Sequence, residues 1–548
     1  MALNSLFCAD VPLSCYSLTV LNVTSTIATG STDHYYAVSD SPRKLKRRCD
    51  ELQQQLNNAK RALEARAKST VSSLLCEMDT FETNSTEVRA MVSSFSHLPL
   101  HLFTKNTRAY SEEQRQFATT LHFYSPKAYE FCRKQLPLPA PSTLRKWLSV
   151  IAGRPGFSKQ VFSFLRKHVE EGSWQHKTCS VMIDSMSIRK HIDWDPVQQR
   201  MTGFTDLGAG SLDSDSQVEA SEALVFMAVR LTGHWKAPLG YFLIAGINST
   251  VQAQLLHTAL SKLHEIGIRG MAVVMDGHAT NQAMVKQLGG SLDPKHLVTD
   301  FVHPSEPDWH VYIFFDACHM LKLLRNALEA MKVIAVPGYG KAEWSHIVHL
   351  HKLQHDEGLR AANKLTQTHV QFQQQKMKVR LAAQTLSASV GSALQFLSTN
   401  NINGFGDTSG TQKFVFMVDR LFDIFNSRSV KASGYKQALT ASTYRKVLPF
   451  LLECKLLLLN ITDNLGQKVC KSRRHMAAIG FAVNIDSLVL LINEILLASA
   501  NAFRQKYLLT YKLSQDHLEL FFGSIRRTTT QVHSSLRMLT KPSSAMHP

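Results

Sequence analysis

CSVMID (179–184), MAVVMD (271–276) and VYIFFD (311–316) are three short apolar runs that each end in an aspartate. Runs of this length and composition fit central strands of a sheet. ALVFMAVRL (223–231) and LGYFLIAG (239–246) fit two more. Between these and MAVVMD lies TVQAQLLHTALSKLHEIG (250–267), which has the apolar spacing of an amphipathic helix. Strands alternating with helices predict an α/β domain. The carboxyl edge of such a sheet is where ligands commonly bind. Asp184, Asp276 and Asp316 therefore stand where a carboxylate can meet a cation or a polar substrate. Taken singly, each is better explained as a helix cap or the start of a turn.

Beyond the last of these runs the pattern changes. From about 325 to 500 nearly everything reads as helix, including the long, basic stretch HKLQHDEGLRAANKLTQTHVQFQQQKMKVRLAAQTLSASVGSAL (351–394). The most apolar part, 476–500, is interrupted by Asn484, Asp486, Asn493 and Glu494. It reads as a buried helix, with no membrane span. SQDHLELFFGSIRR (514–527) reads as a capped helix with Asp516 and Glu519 on one face.

On the N-terminal side, YSEEQRQFATTLHFYSPKAYEFCRKQLPLPAPSTLRKWL (110–148) holds two amphipathic stretches and a Pro-rich turn. Ser142 is then a fitting N-cap for a third helix, whose first turns carry Arg145, Lys146 and Trp147. A helix-turn-helix presents such a helix to a DNA groove, and small helical bundles of other purpose share the pattern. Leu45, Cys49, Leu52, Leu56, Ala59 and Leu63 alternate at spacings of four and three. That is the seam of a short coiled coil, flanked by a basic arm, or one amphipathic helix packed on its own domain. Residues 1–40 are rich in Ser and Thr without a sustained period and read as a flexible tail.

Composition sets the outer bounds. A chain of 548 residues predicts three or four folded units. Its 61 Lys and Arg against 43 Asp and Glu leave a formal charge of +18. That favours a polyanion, nucleic acid before membrane, or simply a solvated basic surface. Nine cysteines are scattered singly, with no CxxC, so neither a disulfide scaffold nor a structural zinc site is visible. The first residues lack the pattern of a signal peptide. A reducing compartment, nucleus or cytoplasm, follows.

Six motifs, in order, resemble one family. They are MIDSMSIRKHIDWDPVQQRMTGFTDLG (182–208), VVMDGHATN (273–281), FFDACHMLKLLRNAL (314–328), KMKVRLAAQTLS (376–387), LFDIFNSRS (421–429) and SQDHLELFFGSIRR. Together they are similar to the transposase of the P element and its THAP-domain relatives, over about 85 to 530. The resemblance implies an α/β RNase H-like catalytic domain interrupted by an all-α, GTP-binding insertion and preceded by a helix-turn-helix domain. The expected organisation is a coiled coil over 41–68 and a helix-turn-helix DNA-binding domain over 85–165. The RNase H-like domain then covers 175–325, the insertion 326–505, and the final catalytic helix 506–535, ahead of a tail at 536–548.

The resemblance also implies roles. Asp184, Asp276 and Glu519 resemble the three acids that hold Mg²⁺ or Mn²⁺. Two such ions can stabilise the attacking and leaving oxygens of a phosphodiester exchange, with water or a DNA 3′-hydroxyl as nucleophile. Asp316 is expected to be a supporting acid. Lys364, Lys378 and Val379 resemble guanosine and phosphate contacts. Phe422, Asp423 and Asn426 resemble a stacking ring, a carboxylate and an amide around guanine, and Asp516 faces the insertion. By pattern alone the two lysines are a solvated helix face and Phe422 is core. No GxxxxGK[ST] loop is present, so GTP rests on the resemblance. The expected partners are DNA, as transposon ends and target, and a second copy of the chain through the coiled coil, with no membrane. The expected location is the nucleus.

Two departures from the family stand out. The zinc-binding THAP module is absent, because Cys8 and Cys15 are too far apart and no later Cys-x2-His follows. The chain also stops about 30 residues after Glu519, which predicts a truncated product. The two functions to separate are a metal-dependent DNA transposase and a catalytically silent, host-adopted or decayed DNA-binding or assembly protein.

Overall fold

The computed structural model describes residue 54 and residues 110–526, except 111, 125, 135, 150–153, 172–176, 196–198, 209–217, 234, 359–362 and 499–503. The coiled coil, apart from residue 54, and the first part of the helix-turn-helix segment lie outside the described residues. From 110 onward these fall into two compact units, one of 118–128 with 139–526 and the other of 110–117 with 129–138.

Three helices open the described chain: α1 (Glu112–Tyr124), α2 (Pro126–Arg133) and α3 (Pro141–Ser149). The expected cap at Ser142 is displaced by two residues. Thr143 and Leu144 N–H both donate to the Ala140 carbonyl, so the helix starts at Pro141. Proline's fixed φ and missing N–H suit the first helical position and set the boundary there. Helix α4 (Lys159–Glu170), capped by Ser158, buries Val161, Leu165 and Val169 in the core of the sheet that follows.

That sheet has seven strands: β1 (Gly156–Phe157), β2 (Thr178–Ser187), β3 (Glu222–Arg230), β4 (Lys236–Ile244), β5 (Arg269–Met275), β6 (Asp300–His303) and β7 (Glu306–Phe315). Their spatial order is β1-β4-β3-β2-β5-β7-β6. β2, β3 and β4 pair antiparallel, whereas β2, β5 and β7 run parallel. This is the RNase H-like sheet. Its central strands are buried almost end to end: every residue of β5 is buried, as are the first six of β2. Strands covered on both faces need this unbroken apolar character. Helix α5 (Ser249–Glu265), capped by Asn248, crosses from β4 to β5. It packs so closely that a Cβ on Gly270 would lie 2.5 Å from Leu260 Cδ2. Helix α6 (Ala279–Gln287) follows β5, and α7 (Ala317–Met331) follows β7.

The insertion that follows α7 is dominated by α8 (Trp344–Asp356), α9 (Val379–Thr385), α10 (Ala388–Thr399), α11 (Ser409–Phe425), α12 (Ala441–Asn460) and α13 (Met476–Ile492). A small sheet of Val333–Val336, Gly340–Glu343 and Thr462–Asp463 sits among them. The stretch 351–394 is not one long helix. It breaks at Gly358, whose φ is +65°, and re-forms as short helices. Its Gln- and Lys-rich middle offers no continuous apolar stripe to bury, and without burial a long helix gains little.

The most apolar helix, α13, is core. Asn484 Nδ2 donates to the Phe315 carbonyl at 2.7 Å, and Phe315 N–H donates to Asn484 Oδ1 at 2.7 Å. Ser487 Oγ donates to the Ile313 carbonyl. These polar side chains of the helix are thus bonded to the backbone of β7. The span Met476–Leu497 is apolar and long enough to cross a membrane, but 78% of its 18-residue apolar window is buried within the chain. Glu494, just beyond α13, pairs with buried Arg269 at 2.6 Å.

Candidate active site

The register of the parallel strands brings three aspartates into one row. Met182 of β2 stands opposite Val274 of β5, so Asp184 and Asp276, each two residues further on, fall side by side; Asp276 stands just past the end of β5, whereas β2 runs on to Ser187 with Asp184 still paired to Val225 of β3. Phe315 of β7 stands opposite Met275, and Asp316 N–H donates to the Met275 carbonyl at 2.8 Å. Chain direction alone therefore carries all three to the carboxyl edge.

Their carboxylates are held in different ways. Asp276 Oδ1 accepts from His278 N–H at 2.9 Å and from Asn281 Nδ2 at 2.6 Å. Asn281 is fixed in turn by Gln252 Nε2 of α5 at 2.7 Å. Asp184 Oδ1 accepts from Ser185 N–H at 2.8 Å. In both residues Oδ2 has no hydrogen bond among the described residues. Asp316 is 1% exposed and fully engaged. Its Oδ2 accepts from His319 N–H at 2.8 Å and pairs with His319 Nδ1 at 2.7 Å, while Oδ1 accepts from Gln515 N–H at 3.0 Å. Asp316 is thus the N-cap of α7 and a clasp on the chain leading to Glu519.

Glu519 lies on the last described helix, α14 (516–526). The lead-in to α14 is sewn across the sheet. Gln505 Nε2 donates to Thr178 Oγ1, Ser180 Oγ to the Lys512 carbonyl, and Gln515 Nε2 to the Ile183 carbonyl, each at 2.7 Å. The last of these bonds falls one residue before Asp184. Glu519 is exposed, and its carboxylate makes no hydrogen bond or ion pair among the described residues. The three acids share an edge, yet no group of three His, Cys, Asp or Glu side chains among the described residues closes around one point. Of the neighbouring charges, that of Asp276 acts most on Asp184.

Electrostatics fit that geometry. Burial, and next the neighbouring Asp276, push the Asp184 carboxyl up to about 7. Burial alone would raise Asp316 too, but the His319 bond and charge and two backbone N–H groups hold it below its ordinary value. His319 is raised: burial opposes its charge, and Asp316 outweighs burial. Glu519 is raised by partial dehydration against the protein and then by Asp316, with His319 and Lys322 opposing.

Crowded acids with donor-free oxygens are the donor set that a hard divalent cation requires. The raised Asp184 gives the pH test its sign. A carboxyl raised on folding binds more protons folded than unfolded, so stability falls as pH rises from about 4 to about 7. A cation that replaces the proton should therefore raise Tm more at pH 8 than at pH 6. Differential scanning fluorimetry with and without Mn²⁺ measures this. Equal changes in Tm at both pH values, or the same pH dependence in Asp184→Asn, would count against a cation at this pair.

The residues matched to a nucleotide site fall into two groups. Phe422 and Asp423 lie on the last turn of α11 and Asn426 is its C-cap. Phe422 packs partly on the core. Asp423 is pushed up to about 6 by burial and then by Asp419, and stands 3.7 Å from Lys436. Lys364 and Lys378 are exposed, Lys378 as the N-cap of α9, and Val379 packs against the core. No hydrogen bond or ion pair among the described residues joins either lysine to the α11 group. Asp516 pairs with Arg428, which also donates from Nε to Asn426 Oδ1 at 3.0 Å.

Sequence reasoning misses four residues of this site, His319, Gln515, Asn281 and Arg428. His319 has a local signal, since it lies three residues after a capping aspartate. Arg428 has none, because its partner Asp516 lies 88 residues away.

Fold and site together define an RNase H-like domain split by a helical insertion and led by a helix-turn-helix segment. Comparison with known families agrees. Residues 153–289 match the TNP-like RNase H N-terminal domain, 318–438 the TNP-like GTP-binding insertion domain, and 511–531 the TNP-like RNase H C-terminal domain. Residues 77–147 match the transposable element P transposase-like HTH domain. The chain belongs to the P element transposase-like family. It is 38% identical to the DNA transposase THAP9 of Homo sapiens, over 79% of this chain and 48% of that protein. It is 25% identical to the transposable element P transposase of Drosophila melanogaster, over 75% of this chain and 50% of that one. The chain thus spans about half the length of the curated relatives it matches. Among solved structures it resembles the Drosophila P element transposase strand transfer complex. That match has a TM-score of 0.63 and 22% identity, and covers 80% of this chain and 92% of the other.

Proposed function

We propose that this chain is the catalytic core of a nuclear DNA transposase that cleaves and joins phosphodiester bonds with Mg²⁺ or Mn²⁺. The observation that carries this reading is the Asp184–Asp276 pair. Two acids fall side by side along neighbouring parallel strands, each keeps an oxygen without a donor, and burial with their crowding pushes Asp184 up to about 7. Glu519 supplies the third ligand from α14. Divalent cations held there would offset charge on the attacking and leaving oxygens of the phosphodiester. The protein's part is to fix the carboxylates: Asn281 and His278 aim Asp276, Ser185 aims Asp184, and Asp316 with Gln515 sets the start of α14. The basic chain favours DNA, as transposon ends and target. The coiled coil at 41–68 would pair two copies.

In this reading the insertion, 326–505, binds GTP to assist assembly with DNA. Phe422 would stack on guanine, Asp423 would accept from its N1–H and 2-amino group, and the Asn426 amide would complete the guanine contacts. Lys364, Lys378 and Val379 would contact guanosine and phosphate, and Asp516 would face the insertion and link the nucleotide to the catalytic helix. Phosphodiester exchange is nearly isoenergetic, so GTP hydrolysis is not required. An unhydrolysable GTP analogue is expected to support DNA-end pairing as well as GTP does. Pairing seen only with hydrolysable GTP would refute this.

The open arrangement of the three acids favours a second reading, a DNA-binding or assembly protein without catalysis. Purified chain on DNA oligonucleotides with Mg²⁺ or Mn²⁺ separates the two. Cleavage or strand transfer that Glu519→Gln abolishes supports the enzyme. Salt-sensitive DNA binding without either activity supports the second reading.

A further inference from the structure

The end of α11 is tied to the start of the Glu519 helix by more than one bond. Ser427 N–H donates to Thr510 Oγ1 at 3.1 Å, and Thr510 Oγ1 donates to the Ile424 carbonyl. Tyr511 N–H donates to the Ser427 carbonyl at 3.2 Å. Leu439 and Leu508 exchange a backbone pair. The last link is Arg428. Its Nε holds Asn426, and a terminal nitrogen of the same guanidinium holds Asp516, three residues before Glu519. Among the described residues this is the one ion pair that joins the insertion to α14.

We propose that Arg428 is a positioning residue that transmits nucleotide occupancy of the α11 end to Glu519. The inference rests on the reading of Phe422, Asp423 and Asn426 as a guanine site. A guanine whose 2-amino group donates to Asn426 Oδ1 competes with Arg428 Nε for that oxygen. The freed guanidinium then re-aims along Asp516, which sits on the first turn of α14. The Thr510 bonds carry the same shift into the backbone ahead of that helix. Coupling of this kind is a difference in interaction between two states of one element, and is reciprocal between its sites. Partly exposed ion pairs contribute little to stability, so removing Arg428 leaves the fold intact.

The test uses the full chain, a constant concentration of Mg²⁺ and guanosine 5′-(β,γ-imido)triphosphate. Calorimetry gives its affinity, and hydrogen exchange follows amides 515–522. In the wild type, saturating analogue is expected to change exchange of that segment by about tenfold, within the usual range for coupled sites. In Arg428→Gln the analogue is expected to bind within about threefold of wild type and to change exchange by less than about twofold. Undiminished coupling in Arg428→Gln overturns the inference and leaves the nucleotide site standing. Failure of the wild type to bind the analogue overturns the nucleotide reading, and the inference with it. Should Arg428→Gln fail to fold, Arg428→Lys serves, since lysine keeps the charge and lacks the Nε donor to Asn426.

Discussion

Asp184→Asn is expected to lower the proposed strand transfer by about a thousandfold or more while the protein stays folded. A thousandfold corresponds to about 4 kcal/mol of lost transition-state stabilisation. The substitution is close to isosteric, and Asn Oδ1 can still accept from Ser185 N–H, which now holds Asp184 at 2.8 Å. What disappears is one charge from a pair that would neutralise a divalent cation. Removing that charge also removes repulsion against Asp276, the second cause of Asp184's raised carboxyl. The variant should therefore be as stable as wild type at pH 6 and more stable at pH 8 without added metal. Loss of activity with gain of stability is a signature that a merely structural residue does not give. Glu519→Gln is expected to match it in activity. A variant that keeps a tenth or more of wild-type rate would remove Asp184 from the chemistry.

Asp316→Ala gives the opposite pattern, with an expected loss of about 3–5 kcal/mol of stability. This carboxylate is 1% exposed and has three partners, two from His319 and one from Gln515. Its removal uncaps α7, leaves the half-buried His319 ring without its carboxylate partner, and frees the start of α14. Losing the cap alone costs about 1 kcal/mol. The rest comes from the His319 and Gln515 donors left without their acceptor. The two partners together set the pH window. Asp316 is depressed, so its contribution is present above an ordinary carboxyl pKa of about 3.9 and lost as pH falls through its lower folded value. His319 is raised, so its contribution is present below about 6.5 and lost as pH rises through its higher folded value. The pair supports the fold most between about pH 4 and 6.5. Urea unfolding of wild type and variant across that range measures it. A difference under about 1 kcal/mol would place the clasp elsewhere.

The sheet is legible in the sequence because its strands are buried on both faces, which forces long apolar runs that few other structures need. The aspartates are legible for the same reason, since each marks where an apolar run ends. Distinguishing their tasks is beyond local pattern. Asp316 ends an apolar run as Asp184 does, and only the fold shows that His319 and Gln515 hold both its oxygens. The start of α3 departs from the expected cap because serine's preference for a cap competes with proline's preference for the first helical position, and here proline decides. The broken stretch at 351–394 shows propensity overruled by the lack of a face to bury. Arg428 and the Gln252–Asn281–Asp276 chain join residues far apart in sequence, which no window along the chain reveals.

Asp184, Asp276 and Glu519 holding divalent cations together is the central claim. Anomalous scattering from crystals of the full chain grown with Mn²⁺ tests it most directly. The expected result is a peak bridging Asp184 and Asp276, with the Glu519 carboxylate turned in to complete the site. No peak at the Asp184–Asp276 pair, or one from which Glu519 still points away, would contradict it.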